Sequence, residues 1–165
     1  MCGIVGVVAG RNIPSILLQG LQRLEYRGYD SSGVAVIDEA GELSVCRRPG
    51  KVQNLLRAME DQPIRGKTGI AHTRWATHGI VNEANSHPHS SGQRVSLVHN
   101  GIIENHNVLR DELKKAGYVF ASDTDSEVVV HLIDSYLEQG HNLLESVRAA
   151  IKRLEGAFAI AAVSP

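Results

Sequence analysis

An α+β fold is predicted for this chain, and three observations predict it. Short, valine-rich apolar runs bounded by glycine, such as residues 3–9, read as buried strands. Between such runs lie stretches whose apolar residues recur three and four apart, the period of a helix. A hairpin pattern over residues 33–47, turned at Glu39-Ala40-Gly41-Glu42, excludes a simple doubly wound parallel sheet.

Residues 3–9 form the first expected strand. Residues 14–27 form a helix, because Ile13, Ile16, Leu17, Leu21 and Leu24 share one face and Gly28 is a natural C-terminal stop. The hairpin pairs residues 33–38 with 43–47. Residues 51–61 are helical, with Val52, Leu55, Leu56 and Met59 on one side. Strands at 68–74 and 94–99 flank a long connection, and structureless connections beyond about 12–15 residues tend to carry function. A helix at 107–115, a short strand at 118–121 and helices at 125–138 and 143–154 follow. Thr124 is the expected N-cap of the first of these last two. Leu109, Leu113 and the run 128–133 read as core faces, and Cys46 as inert packing. The last strand, 157–163, is followed only by Ser164-Pro165, so the chain is expected to be a fragment. No internal repeat or low-complexity stretch is present.

The length of 165 residues suits one domain, and 42% hydrophobic residues suffice for a core. Lys and Arg number 17 against 18 acidic residues, a formal charge of -1, which lacks the electrostatic footprint of a nucleic-acid binder. Two cysteines form no disulfide framework and point to a reducing compartment. No apolar run approaches the ~20 residues that span a bilayer. No basic residue precedes the short run at 4–9, as a signal peptide requires, and position 2 is Cys rather than the Gly that myristoylation needs. The expected location is cytoplasmic, with neither nucleic acid nor membrane as partner.

Cys2 admits two readings at this point. Free cysteines are usually small buried residues. Alternatively, loss of Met1 makes Cys2 the N-terminal residue, with a thiol and an α-amine on one side chain and backbone. An α-amine with a pKa near ~7.7–8.0 can accept the thiol proton, directly or through one water, and return a proton to a leaving amine. A dinucleotide site is disfavoured, because Gly3, Gly6 and Gly10 do not fit G-x-G-x-x-G and fall inside the strand.

Several further residues are ambiguous alone. Asn100-Gly101, at the expected end of a strand, suits a tight turn or a pair of oxyanion donors. Arg74, where a strand meets the long connection, suits a carboxylate fork or simple solvation. An acidic residue of SDTDSE at the start of the 125–138 helix suits a substrate ammonium or the helix N-terminal field. Arg27 and Asp30 suit an ion pair behind the nucleophile or turn geometry. Among eight histidines, His87-Pro88-His89 with His72, His78 and His99 raises a metal site. No Cys-x-x-Cys or His-x-x-x-His pattern supports it, and no metal is expected.

Taken together, MCGIVG, LEYRGYDSSG, HTRWATHG, NSHPH, HNGIIEN and SDTDSE resemble the class II glutamine amidotransferases, which belong to the N-terminal-nucleophile hydrolases. Within that group RLEYRGYDS and TRWATHG are most similar to the glutaminase domains of glucosamine-6-phosphate synthases. The resemblance runs from Cys2 to the last residues. It implies a four-layer αββα sandwich, here as the N-terminal part of a glutaminase domain over 1–165, without its last strands and without the sugar-isomerase half. It implies Cys2 as the nucleophile toward L-glutamine and Asn100 with the Gly101 N–H as the oxyanion hole. It further implies Arg74, helped by Thr77 and His78, on the α-carboxylate, Asp125 on the α-ammonium, and Trp75 in a closing loop hinged at Gly79. No cofactor is implied. Fructose 6-phosphate would be met only through the missing isomerase half, which also forms the homodimer. A catalytically silent fragment, retaining the fold as a glutamine- or glutamate-binding or interaction module, is the alternative expectation.

Overall fold

The computed structural model of the chain describes residues 2–75 and 80–165. Alternation of side chains along its strands sorts the molecule into layers. The strand β1 (Gly3–Val8) pairs antiparallel with β4 (Thr68–Arg74), which pairs with β2 (Ser31–Ile37), which pairs with β3 (Leu43–Pro49). A second antiparallel sheet has the order β5 (His89–Ser91), β6 (Val95–Ile103), β7 (Gly156–Val163). On the first sheet Val34, Val36 and Ala71 face the helices α1 (Pro14–Leu24) and α2 (Val52–Asp61). Their strand neighbours Ala35 and Ile70 point the other way, and meet Val98, Ala161 and Val163 of the second sheet. The opposite face of that sheet, through Val95 and Leu97, packs on α3 (His106–Lys115), α4 (Asp125–Leu137) and α5 (Leu143–Ile151). The result is helices, sheet, sheet, helices: the expected αββα sandwich.

Local chemistry accounts for most boundaries. Pro14 stands in the first turn of α1, where its missing N–H costs nothing, and a 3-10 turn Glu25–Arg27 ends at Gly28. The Asp38 carboxylate accepts the N–H groups of Ala40 and Glu42, both at 2.8 Å, and closes the hairpin turn. Asn142 and Glu145 form a reciprocal capping box at the start of α5. Buried Asp134 of α4 accepts Arg94 Nε and Nη2, each at 2.6 Å, and Ser91 Oγ at 2.7 Å, tying the helix to the β5–β6 hairpin.

Three expectations are corrected, and a fourth holds in position only. Residues 118–121 are not a strand: the segment has no strand partner among the described residues, and packs Tyr118 and Phe120 onto the α4 core instead. The long connection after β4 contains the strand β5, which sequence inspection did not find. Asn100-Gly101 is no turn, since β6 continues to Ile103 with Asn100 opposite Ala159 and Gly101 opposite Phe158. Thr124 takes the N-cap position of α4, but its hydroxyl meets His89 Nε2 and Ser122 Oγ, both at 3.0 Å, rather than the helix N-terminus. No helix among the described residues is long and apolar enough to cross a membrane.

Candidate active site

Cys2 stands just before β1, and the pairing of Gly3 with Thr73 brings it to the C-terminal end of β4. Its Sγ receives the Trp75 N–H at 3.2 Å and faces the Trp75 carbonyl at 3.6 Å. Gly3 is required by a close approach: a Cβ there would lie 2.8 Å from Leu24 Cδ1 and 2.9 Å from Thr73 Oγ1. Its lack of a side chain thus makes room for the end of α1 and for β4.

Arg74 is the last residue of β4, buried, with its carbonyl accepting the Asp30 N–H at 3.0 Å. Burial lowers the guanidinium pKa, against the opposing influence of Cys2, Asp30 and Asp125. Asp125 opens α4. Its Oδ2 accepts the Ile103 N–H at 2.8 Å, so the end of β6 fixes the carboxylate. A narrow cleft of about 30 Å³ is lined by Cys2, Arg74, Trp75, Gly101, Asp125 and Ser126. A wider cavity of about 510 Å³ also meets Cys2, and is lined by Arg27, Trp75, Asn100, Ile102 and Phe158 as well as Gly101. Trp75 lines both, 43% exposed, with its ring edge-to-face on Tyr29 at 5.3 Å between centroids.

The Asn100 side chain donates from Nδ2 to the Cys2 carbonyl at 3.3 Å. Gly101 has φ +128°, and a Cβ there would meet the Ala157 carbonyl oxygen at 2.2 Å. Only glycine fits, and the reason is its strand neighbour rather than a turn. The structure thus brings Cys2, Arg74, Trp75, Asn100, Gly101 and Asp125 to one place. Thr77, His78 and Gly79, and the processing of Met1, lie outside the described residues.

Sequence reasoning underrated the histidines and missed Ser126. His87 Nε2 and His99 Nδ1 lie 2.9 and 2.8 Å from the Ser126 hydroxyl, which lies 3.4 Å from Asp125 Oδ1. The His72 and His87 rings pack at 4.2 Å, and those of His87 and His89 at 4.7 Å. Burial lowers the pKa of each: His72 to about 4, His89 to about 3, and His87 and His99 also downward. These rings are neutral near pH 7 and serve as hydrogen-bonding groups around Asp125 and Asn100. The one available signal was positional, since His72 and His99 fall within apolar strand patterns.

A family model described as a glutamine amidotransferase domain matches residues 72–165, more than half of the chain. The chain belongs to the glutamine amidotransferase domain family. Among its relatives is the glutamine–fructose-6-phosphate aminotransferase (isomerizing) of Pseudomonas putida, 59% identical over 164 residues, which are 99% of this chain and 27% of that protein. The enzyme of the same name from Escherichia coli K12 is 58% identical over 158 residues, 96% of this chain and 26% of its own length. The chain therefore spans about a quarter of these relatives. Among solved structures, the glutamine phosphoribosylpyrophosphate amidotransferase of B. subtilis superposes with a TM-score of 0.83 at 27% identity, covering 99% of this chain and 35% of that one. This amidotransferase domain thus shares its fold with an enzyme far less similar in sequence than the two aminotransferases.

Proposed function

We propose that the chain is the N-terminal part of a glutaminase domain and hydrolyses the side-chain amide of L-glutamine. One observation carries the reading: a thiol shares a cleft with a buried cation, Arg74, and an anion, Asp125. These opposite charges match the α-carboxylate and α-ammonium of an amino acid, and Cys2 lies between the ends of β1 and β4 to meet its side chain. Asp125 is anchored by Ile103 and Ser126, and so is held for a substrate rather than left to solvent. Thr77 and His78 assist Arg74 with the carboxylate.

The reaction has two halves. With Met1 removed, the Cys2 amine takes the thiol proton and Sγ attacks the carboxamide carbon. Asn100 Nδ2 and the Gly101 N–H stabilise the oxyanion that forms. The C–N bond breaks, the amine returns the proton to the leaving nitrogen, and ammonia departs from a thioester. Water then adds, releasing glutamate and restoring the thiol. A cleft of about 30 Å³ is too small for glutamine, so binding widens it, with Trp75 as the movable wall. Closure over the thioester keeps water from releasing ammonia to solvent.

In the whole protein the ammonia would convert fructose 6-phosphate to glucosamine 6-phosphate, as the names of the aminotransferase relatives suggest. The sugar phosphate would bind to, and a homodimer form through, parts outside this chain. The two free thiols, Cys2 and Cys46, fit a reducing cytoplasm.

Intact-mass analysis tests the reading. Met1 should be absent, and a glutamine-like electrophile should add once, with the adduct abolished by Cys2→Ala. Glutaminase turnover with Met1 retained would refute the amine as base. Glutamine binding without turnover or adduct would favour a silent binding module.

A further inference from the structure

The orientation of a side-chain amide decides whether Asn100 can serve an oxyanion. Its oxygen and nitrogen are nearly alike in size, and only the NH2 end donates. Which end faces Cys2 must be set by the neighbour at the other end. That neighbour is His72, on β4 and fully buried, with Nε2 2.8 Å from Asn100 Oδ1 and 3.1 Å from the His99 carbonyl oxygen.

The chemistry of the carbonyl settles the orientation. A backbone carbonyl only accepts, so the ring nitrogen beside it must carry the hydrogen. The Nε2–H is then shared between two acceptors, and the Asn100 atom facing it must be oxygen. The NH2 group is left pointing at Cys2, where Nδ2 lies 3.3 Å from the Cys2 carbonyl oxygen. The other ring nitrogen agrees: buried Nδ1 of His72 has no hydrogen-bond partner among the described residues. A bare Nδ1 there costs less than an orphaned N–H. Burial also keeps the ring neutral, with its pKa down to about 4, so Nδ1 stays unprotonated near pH 7.

We propose that His72 is a positioning residue that, as its Nε2–H tautomer, locks the Asn100 amide with its NH2 toward Cys2. The inference rests on the glutaminase reading for its consequence, but its geometry can be tested independently. Long-range proton–nitrogen NMR of the histidine-labelled chain at pH 7 should show an exchange-protected Nε2–H ring that is lost in His72→Gln and so assigned to His72. A Nδ1–H tautomer or an imidazolium at His72 would overturn the proposal even if the chain proved inactive toward glutamine.

Kinetics supply the second arm. His72→Phe keeps a buried ring but removes the donor, whereas His72→Gln keeps a donor near the Nε2 position. His72→Phe should lower kcat roughly 10–10²-fold, up to the cost of losing one oxyanion donor, with KM within about threefold. His72→Gln should recover most of the loss. In an Asn100→Ala background, His72→Phe should cost nothing further. An unchanged kcat in His72→Phe, or the same fold-loss with and without Asn100, would overturn the proposal. Should His72→Phe fail to fold, His72→Gln and the tautomer decide: loss of most activity in folded His72→Gln would count against it. An active wild-type chain with indifferent His72 variants refutes this inference alone, whereas an inactive wild type refutes the glutaminase reading.

Discussion

At Arg74 and Asn100 the same small site asks two different things of a side chain. Arg74 is a buried cation beside Cys2 and Asp125, suited to hold a charge that substrate carries before and after reaction. Its loss should therefore weaken binding uniformly. In the proposed reaction Asn100, whose Nδ2 points at Cys2, would donate where charge develops only during reaction. Arg74→Ala is expected mainly to raise the KM for glutamine, and Asn100→Ala mainly to lower kcat, by roughly 10²–10³-fold. Steady-state kinetics on both variants check the split, and unaltered kinetics in both would refute the site. Gly101 is the steric counterpart. With φ +128° and the Ala157 carbonyl where a Cβ would stand, Gly101→Ala should push β6 from β7 and lower the urea midpoint as well as kcat. A variant as stable and active as the parent would contradict that account.

At the scale of the element, α4 is the organiser. It is buried from Ser126 to Asp134, presents Asp125 and Ser126 at its N-terminal end, and is fastened along its length. Glu127 accepts the N–H groups of Ala121 and Ser122 at 2.8 and 2.7 Å, and Asp134 holds Arg94 and Ser91. By contrast α5 packs against α4, and among the described residues none of its side chains lines either cavity at Cys2. Asn142→Ala removes its capping box and should cost about 1 kcal/mol of stability while leaving glutamine kinetics unchanged. Urea denaturation and steady-state rates together check this. A large fall in kcat would mean that α5 reaches the site through α4. This division was only half legible in the sequence. The 3.6-residue pattern located α4, and SDTDSE marked its start, but nothing in one dimension showed that Ser126 meets His87 and His99 from two other segments.

For the whole molecule, the buried imidazoles make stability a function of pH. His72 titrates at about 4 and His89 at about 3, both lowered by burial from an ordinary 6.5, and His87 and His99 shift the same way. As pH falls below about 6.5, the unfolded chain takes up protons that the folded chain refuses. The stability these groups contribute is complete above that pH and is lost as pH falls toward their folded values. Each fully titrating group adds a slope of up to about 1.4 kcal/mol per pH unit. Glu127 extends the loss. Burial raises its pKa, but His131, Ser122 and the two backbone N–H groups outweigh that and hold it at about 2, below its ordinary 4.5. Urea midpoints should therefore fall from pH 7.5 to pH 5, and further below. An equal or higher midpoint at pH 5 would show that the rings are not buried neutral.

By itself, the sequence determined the α+β class, nearly every helix and the strand at 68–74, because local periodicity and glycine or proline punctuation are written residue by residue. Its short motifs also marked Cys2, Arg74, Trp75, Asn100, Gly101 and Asp125 as candidates, through resemblance rather than spacing. Only the tertiary structure decided how those residues come to lie together. Pairing of β1 with β4 carries Cys2 to Trp75, and stacking of the two sheets brings His72 to Asn100. The Asn100-Gly101 pair, read locally as a turn, is held in a strand because β7 runs beside it. Contacts between segments so distant in the chain depend on register and layer order, which no local pattern encodes.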